Sequence, residues 1–161
     1  MSSEKKTNAA RILDRLGIKY ALHTYPVDPD NLAVEHVAEA LSQDIRRVYK
    51  TLVLRGNKTG IFVCVVAGCD EVDLKKAAMA SGNKSCDMIA LKELLPATGY
   101  IRGGCTALGM KKSYPLYVSR EIVDYPTVYV SAGIRGMQIE LSPDDYIRAA
   151  GALLADISRS H

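Results

Sequence analysis

The sequence predicts an α+β fold in a single domain spanning residues 1–161, and three observations carry that expectation. Residues 49–68, "YKTLVLRGNKTGIFVCVVAG", place two β-rich runs around a "GNKTG" turn, the pattern of an antiparallel hairpin. Residues 127–141, "TVYVSAGIRGMQIEL", repeat the arrangement around a second small-residue turn. Helical patterns interrupt these hairpins without a one-for-one alternation of strand and helix, so a doubly wound parallel sheet is not expected.

Each element has its own signal. Residues 7–16, "TNAARILDRL", put Ile12, Leu13 and Leu16 on one helical face, with Thr7 or Asn8 as cap and Gly17 at the exit. "IKYALHTY" (18–25) reads as a strand ended by Pro26. Asn31 is the expected cap of a second helix lined by Val34, Val37, Ala38 and Leu41. "VDLKKAAMASG" (72–82) reads as a short helix that starts at Asp73 and ends at Gly82. "LKELLPATG" adds a helical turn stopped by Pro96, and "PLYVS" (115–119) is strand-like. "SPDDYIRAAGALLADIS" (142–158) closes the chain as a helix, with Ser142 as cap, Pro143 at its first position and two acids favouring the dipole. No repeat, linker or low-complexity segment appears.

Composition narrows the function classes. A 161-residue chain buries roughly two-thirds of its unfolded surface. Hydrophobic content of 48% and a mean hydropathy of −0.01 are those of a soluble globular protein. The longest apolar run, residues 61–68, is far short of the ~20 residues a membrane span needs, and the N-terminus has no unbroken signal-peptide core. A cytoplasmic location without membrane attachment is expected. Cys64, Cys69, Cys86 and Cys105 show neither C-x-x-C pairing nor zinc-finger spacing, which suggests reduced thiols and no metal. A net charge of +3 permits contact with a polyanion without demanding it.

Four features invite chemistry, and each has a plainer explanation beside it. "GYIRGGCTALGMKK" (99–112) contains no nucleotide fingerprint, but Gly103 and Gly104 could offer bare backbone N–H groups to a carbonyl or ribose. A bulge or tight corner also favours glycine there. Lys50 shares a strand face with Leu52 and Leu54, opposite Tyr49, Thr51 and Val53. Its amine stands at a cavity mouth or snorkels past the core rim. Cys105 and His23 could form a nucleophile–base pair, although His23, His36 and His161 equally suit structural or solvated positions. The cations at 46–47, 75–76 and 111–112 suit solvated faces or phosphate contacts.

Taken in order, "HTY" (23–25), "VYKTL" (48–52), "VDLKKAA" (72–78), "TGYIRGG" (98–104), "LGMKK" (108–112) and "VYVSAGIRGMQIEL" (128–141) resemble the YbaK/EbsC family of aminoacyl-tRNA deacylases. The likeness runs over nearly the whole chain and is nearest to the branch that clears Cys-tRNA(Pro), made when prolyl-tRNA synthetase mischarges cysteine. It implies a small mixed β-barrel surrounded by helices, with one pocket at the open side. It implies that Lys50 is the residue tied most closely to activity. Gly103 and Gly104 would lie beside the aminoacyl ester, Ser131 and Gly133 beside the terminal adenosine, and Tyr25 at the pocket. Gln138 falls at a substrate-facing position, and Lys111 and Lys112 become candidates for phosphate contact.

The resemblance further implies that the protein supplies no nucleophile. The substrate's own cysteine thiol attacks its ester and leaves as a thiolactone, which requires no cofactor and makes Cys105 a bystander. A free thiol is a few per cent thiolate at neutral pH, and intramolecular attack from a held geometry contributes ~7–11 kcal/mol in favourable systems. The implied partners are the acceptor end of aminoacyl-tRNA and prolyl-tRNA synthetase. Three residues depart from the family pattern. Ala107 replaces a frequent proline, Ala132 adds a methyl within "SAGIRG", and Gln138 stands where the cysteine-clearing branch often has an acid. These departures bear on amino-acid preference, so a deacylase for alanine or serine esters and a non-catalytic module for tRNA ends are the alternatives.

Overall fold

The hairpin at the centre of the sequence is also the centre of the computed structural model, which describes residues 6–160. Strands β2 (Tyr49–Gly56) and β3 (Gly60–Ala67) pair antiparallel from Tyr49↔Ala67 to Gly56↔Gly60. Asn83 locks the turn. Its Oδ1 accepts from the N–H groups of Lys58 and Thr59 at 2.9 Å, and its Nδ2 donates to Thr59 Oγ1. His161 and residues 1–5 lie outside the described residues.

Helix α1 (Asn8–Arg15) is capped by Thr7, whose Oγ1 accepts from the Ala10 N–H at 3.2 Å, as the sequence indicates. Its buried face comprises Ala9, Ala10 and Leu13, whereas Leu16 is exposed. Strand β1 (Ala21–Thr24) follows. Helix α2 (Val34–Ala40) begins later than expected, because Ala33 rather than Asn31 occupies the cap and supplies no side-chain bond. Strand β4 (Asp70–Val72) leads into α3 (Leu74–Ser81), which Asp73 caps and Gly82 ends as expected. Strand β5 (Cys86–Met88) has three residues, too few to produce a periodic signal in the sequence.

Helix α4 (Leu91–Thr98) runs through Pro96 instead of stopping at it. The proline lacks the N–H that would bond to Lys92, but the final turn survives. Thr98 Oγ1 donates to Leu94 O at 2.8 Å and Gly99 N–H to Leu95 O at 2.8 Å. Strands β6 (Leu116–Ser119), β7 (Val128–Ser131) and β8 (Met137–Leu141) match their sequence signals. The terminal helix does not extend to residue 158. Helix α5 (Pro143–Ala150) ends at Gly151, which adopts φ +65°, and residues 153–160 form β9 (Leu153–Ala155) and β10 (Ser158–Ser160). The glycine breaks the helical ladder, and Leu153–Ala155 gains a parallel partner in β6.

The strands form a five-stranded sheet in the order β5-β2-β3-β6-β9, a three-stranded sheet β1-β8-β7, and the β10-β4 pair. The α+β expectation holds, but the sheets do not close into a barrel. An isolated parallel bridge, Val48↔Tyr129, joins the two larger sheets. Between them lies the main core, which draws Val53, Val65 and Val118 from one sheet and Val130, Ile139 and Leu141 from the other. Leu54, Phe62 and Cys64 pack on the opposite face against Ala77 and Ala78 of α3. A third cluster, Ala38, Val48 and Tyr129, holds α2 over the sheet junction. No helix among the described residues is long and apolar enough to cross a membrane.

Candidate functional site

Where β5 turns away from β2 into α4, the chain leaves a cavity of about 530 Å³. Its walls come from the first half of β2, the β5–α4 connection, the start of α2, the glycine segment and the β7–β8 hairpin. Lys50, Gly103, Cys105, Ser131 and Gln138 all line it. Four of the nine residues expected at the site, Lys50, Gly103, Ser131 and Gln138, are thus brought together.

Lys50 is half-buried, and its Nζ donates a long hydrogen bond, 3.4 Å, to Gly68 O. Alternation along β2 sends Leu54 to the α3 side and Tyr49 and Val53 to the main core, as the sequence suggests. Ser131 and Gln138 face one another directly across β7 and β8. Ser131 Oγ accepts from Gly133 N–H at 3.1 Å, which fixes the hydroxyl at the cavity wall. Gln138 is 5% exposed, and its Oε1 has no hydrogen-bond partner. A buried amide oxygen left unpaired costs about 1–3 kcal/mol, so the wall retains one strong acceptor for an incoming donor.

The glycine pair divides its labour. Gly103 lines the cavity at φ +87°, a conformation that a side chain disfavours. A Cβ on Gly104 would lie 3.2 Å from the backbone of Ile134 and Arg135, so this glycine permits a close approach of two chain segments. The Gly104 N–H donates to Ile101 O at 3.0 Å. Gly103 is therefore the member of the pair that faces the cavity. A tight bend and a bare cavity wall, alternatives in the sequence, coexist here.

Other expected residues lie apart. Tyr25 lines a small adjoining recess that shares Gly103, Leu32 and Val37 with the main cavity. Gly133 packs against the Tyr100 ring, outside the cavity lining. Lys111 and Lys112 line a separate cavity of about 250 Å³ with Ser113 and Tyr114. Lys111 N–H donates to Thr98 O at 3.1 Å, tethering that segment to the end of α4. Ala107 lines this second cavity, and the Ala132 methyl is fully buried in the main core.

The Cys105–His23 pair does not assemble. Cys105 lines the cavity, but burial pushes its thiol up to about 12. His23 lies outside the cavity lining, and its Nε2 is 2.8 Å from Glu140 Oε1. Thr127 Oγ1 donates to Glu140 Oε2 at 2.6 Å and itself accepts from Arg47. This network braces the sheet junction. Among the described residues, no group of three or more His, Cys, Asp or Glu is placed to hold a metal ion.

Thr51, Met88, Ile89 and Leu94 are lining residues that the sequence did not single out. They belong to ordinary apolar or β-rich runs. The path of the chain from the end of β5 onward brings Met88, Ile89 and Leu94 to the cavity, and Thr51 lies on the β2 edge beyond the residues that β5 pairs with.

The chain belongs to the aminoacyl-tRNA editing domain family, whose model matches residues 28–149. Among individual proteins, it is 46% identical over 156 residues to "Putative Cys-tRNA(Pro)/Cys-tRNA(Cys) deacylase EbsC" of Enterococcus faecalis, covering 97% of this chain and 95% of that one. It is 30% identical over 108 residues to a proline–tRNA ligase of Thermosipho africanus, covering 67% of this chain and 18% of the ligase. A solved structure, "Crystal structure of a putative trans-editing enzyme for prolyl tRNA synthetase", shares the fold with a TM-score of 0.81 at 23% identity. That match covers 98% of this chain and 100% of the other.

Proposed function

We propose that the protein clears mischarged aminoacyl-tRNA in trans, with cysteine esterified to proline tRNA as its substrate. Membership of the editing family and the 46% identity with the named deacylase support the reaction class. The observation that carries the mechanism is Cys105. With its thiol pushed up to about 12, only about one molecule in 10⁵ is thiolate at pH 7, so the cysteine in the cavity is a poor nucleophile. A substrate thiol near its ordinary pKa is about a thousandfold richer in thiolate.

In the proposed step, the substrate's thiolate attacks its own ester carbonyl. A sulfur–carbon bond forms, the carbon–oxygen bond to the ribose breaks, and the ribose oxygen takes up a proton equivalent to the one the thiol lost. The products are tRNA with a free 3′ end and a four-membered thiolactone, which water opens to cysteine. Ring strain offsets part of the proximity gain. The protein's tasks are to hold the ester in the attacking geometry and to stabilise the developing oxyanion. Lys50 positions the ester and favours the thiolate by its charge, and the Gly103 backbone permits close approach. Ser131, Gln138 and the recess at Tyr25 receive the remainder of the aminoacyl-adenosine end, and Gly133 acts by holding the Ser131 hydroxyl. Lys111 and Lys112, in their separate cavity, meet phosphates of the acceptor strand. A net charge of +3 gives weak affinity for free tRNA, so prolyl-tRNA synthetase is the proposed presenting partner.

The test is deacylation of Cys-tRNA(Pro) by wild type, Lys50→Ala and Cys105→Ala. The expected result is an active Cys105→Ala and a Lys50→Ala reduced by at least two orders of magnitude, on the order of an oriented electrostatic contact. Loss of activity in Cys105→Ala, with the fold retained, would instead point to a protein nucleophile. Retention of charged tRNA without any cleavage by wild type would point to a binding module.

A further inference from the structure

The ladder between β2 and β3 fixes which main-chain groups of β2 are spent. Gly68 N–H donates to Val48 O at 2.7 Å, so Val48 and Gly68 form a hydrogen-bonded pair, and the register carries the same state to Lys50↔Val66, Leu52↔Cys64 and Leu54↔Phe62. The odd-numbered residues of β2 therefore direct their N–H and C=O to the other edge. At one end of that edge, Val53 O accepts from Ile89 N–H at 3.1 Å, and β5 pairs with residues 54–56. At the other end stands the bridge from Val48 to Tyr129. Thr51 falls between the two neighbouring strands, and it lines the 530 Å³ cavity.

We propose that the aminoacyl group of the substrate fills this gap as a one-residue strand, with Thr51 N–H donating to the ester carbonyl and Thr51 C=O accepting from the α-ammonium. This rests on the functional reading above and deepens it. An α-amino ester carries one donor group and one acceptor at the spacing of a strand residue, so it completes the interrupted edge as a peptide does in strand addition. The ammonium has protons to spare, and the unpartnered Oε1 of the buried Gln138 lines the same cavity to accept one. The carbonyl oxygen becomes the oxyanion on attack, so a donor placed on it in the ground state strengthens as charge develops. Main-chain recognition of this kind reads the α-amino ester common to all aminoacyl-tRNAs. It leaves discrimination among side chains to the thiol.

Amide hydrogen exchange at single-residue resolution tests the gap. In the free protein the Thr51 amide is expected to exchange fast, whereas Lys50 and Leu52 are slow. Saturation with 3′-deoxy-3′-(L-cysteinylamino)adenosine, an uncleavable analogue, should slow Thr51 by about tenfold or more, the protection one new hydrogen bond confers. A Thr51 amide already slow in the free protein, or unchanged at saturation, overturns the proposal. A second measurement replaces the Thr51 residue with its α-hydroxy acid, which removes the N–H but keeps the side chain. The removed N–H lies outside the β2–β3 ladder, but the Lys50 carbonyl within it becomes a weaker ester acceptor. Melting should therefore fall modestly with the fold kept, while kcat/KM on Cys-tRNA(Pro) should fall about tenfold. An undiminished rate overturns the proposal. Wild-type turnover of Cys-tRNA(Pro) separates the two levels. An active wild type with unaltered Thr51 results refutes this inference alone, and an inactive wild type refutes the functional reading and the inference with it.

Discussion

Lys50 and Cys105 line the same cavity, yet opposite consequences follow from substituting them. The thiol of Cys105 is held protonated by burial, so Cys105→Ala removes a few packed atoms and no reactive group. Its inertness has a direct readout: alkylation of Cys105 by iodoacetamide at pH 8 should be far slower than that of a free thiol such as glutathione. Alkylation at the rate of glutathione would contradict the raised thiol of this half-buried cysteine. At this scale the sequence was partly legible. Strand alternation located Lys50 on one face of β2, but whether its amine met a cavity or solvent depended on where β5 ended. The cysteine and histidine that looked like a pair were separated because Glu140 holds His23 at 2.8 Å, a contact between residues 117 positions apart. No local pattern carries such a contact.

The glycine bend and the β5–α4 connection shape the cavity. Gly104→Ala would place a methyl 3.2 Å from backbone atoms of Ile134 and Arg135, which cannot rotate away. The expected cost is about 1–3 kcal/mol, the range for overpacking, measured as a fall of several degrees in Tm with an accompanying loss of kcat as Gly103 shifts. An unchanged Tm would mean the bend relaxes freely. Caps and hairpin turns were readable because their chemistry is local: Thr7, Asp73 and Ser142 each accept a backbone N–H within their own first turn. The overextended terminal helix shows the opposite case. Residues 153–155 suit a helix by composition, but pairing with β6 outweighs that preference. Pro96 misled for a related reason, since one lost hydrogen bond in a packed helix is tolerable.

At the scale of the whole molecule, the junction of the two sheets depends on Glu140. It joins β8 to His23 of β1, to Thr127 before β7, and through Thr127 to Arg47 at the entrance of β2. Burial works to raise this carboxyl, but hydrogen bonds from Thr127 and His23 outweigh it and hold the group below the ordinary value. A carboxylate with a lowered folded-state pKa stabilises the fold above its unfolded value of about 4.5. That contribution is lost as pH falls through the folded-state value. Glu140→Gln should therefore lower Tm at pH 7 by several degrees, on the order of 1–3 kcal/mol, and the gap to wild type should narrow below pH 4. A gap that stays constant from pH 7 to pH 3 would mean that ionisation of Glu140 does not matter. The barrel expectation failed at this same junction. Among the described residues one isolated bridge links the two larger sheets where the closed pairing of a barrel was expected, and the interruption leaves room for the cavity.

Clearance by a modest +3 chain should also gain from a presenting partner. At physiological salt, added prolyl-tRNA synthetase should raise the deacylation rate at low enzyme concentration, and identical rates with and without it would remove the synthetase from the mechanism. The most direct measurement concerns the thiol itself: single-turnover deacylation of Cys-tRNA(Pro) and Ser-tRNA(Pro) by the wild-type protein, side by side. The two esters differ by one atom, sulfur against oxygen, which the cavity cannot separate by size. A serine hydroxyl, however, is scarcely ionised at pH 7. Cysteine cleared on the order of a hundredfold faster than serine is the expected result. Equal rates for the two would contradict attack by the substrate's own thiol.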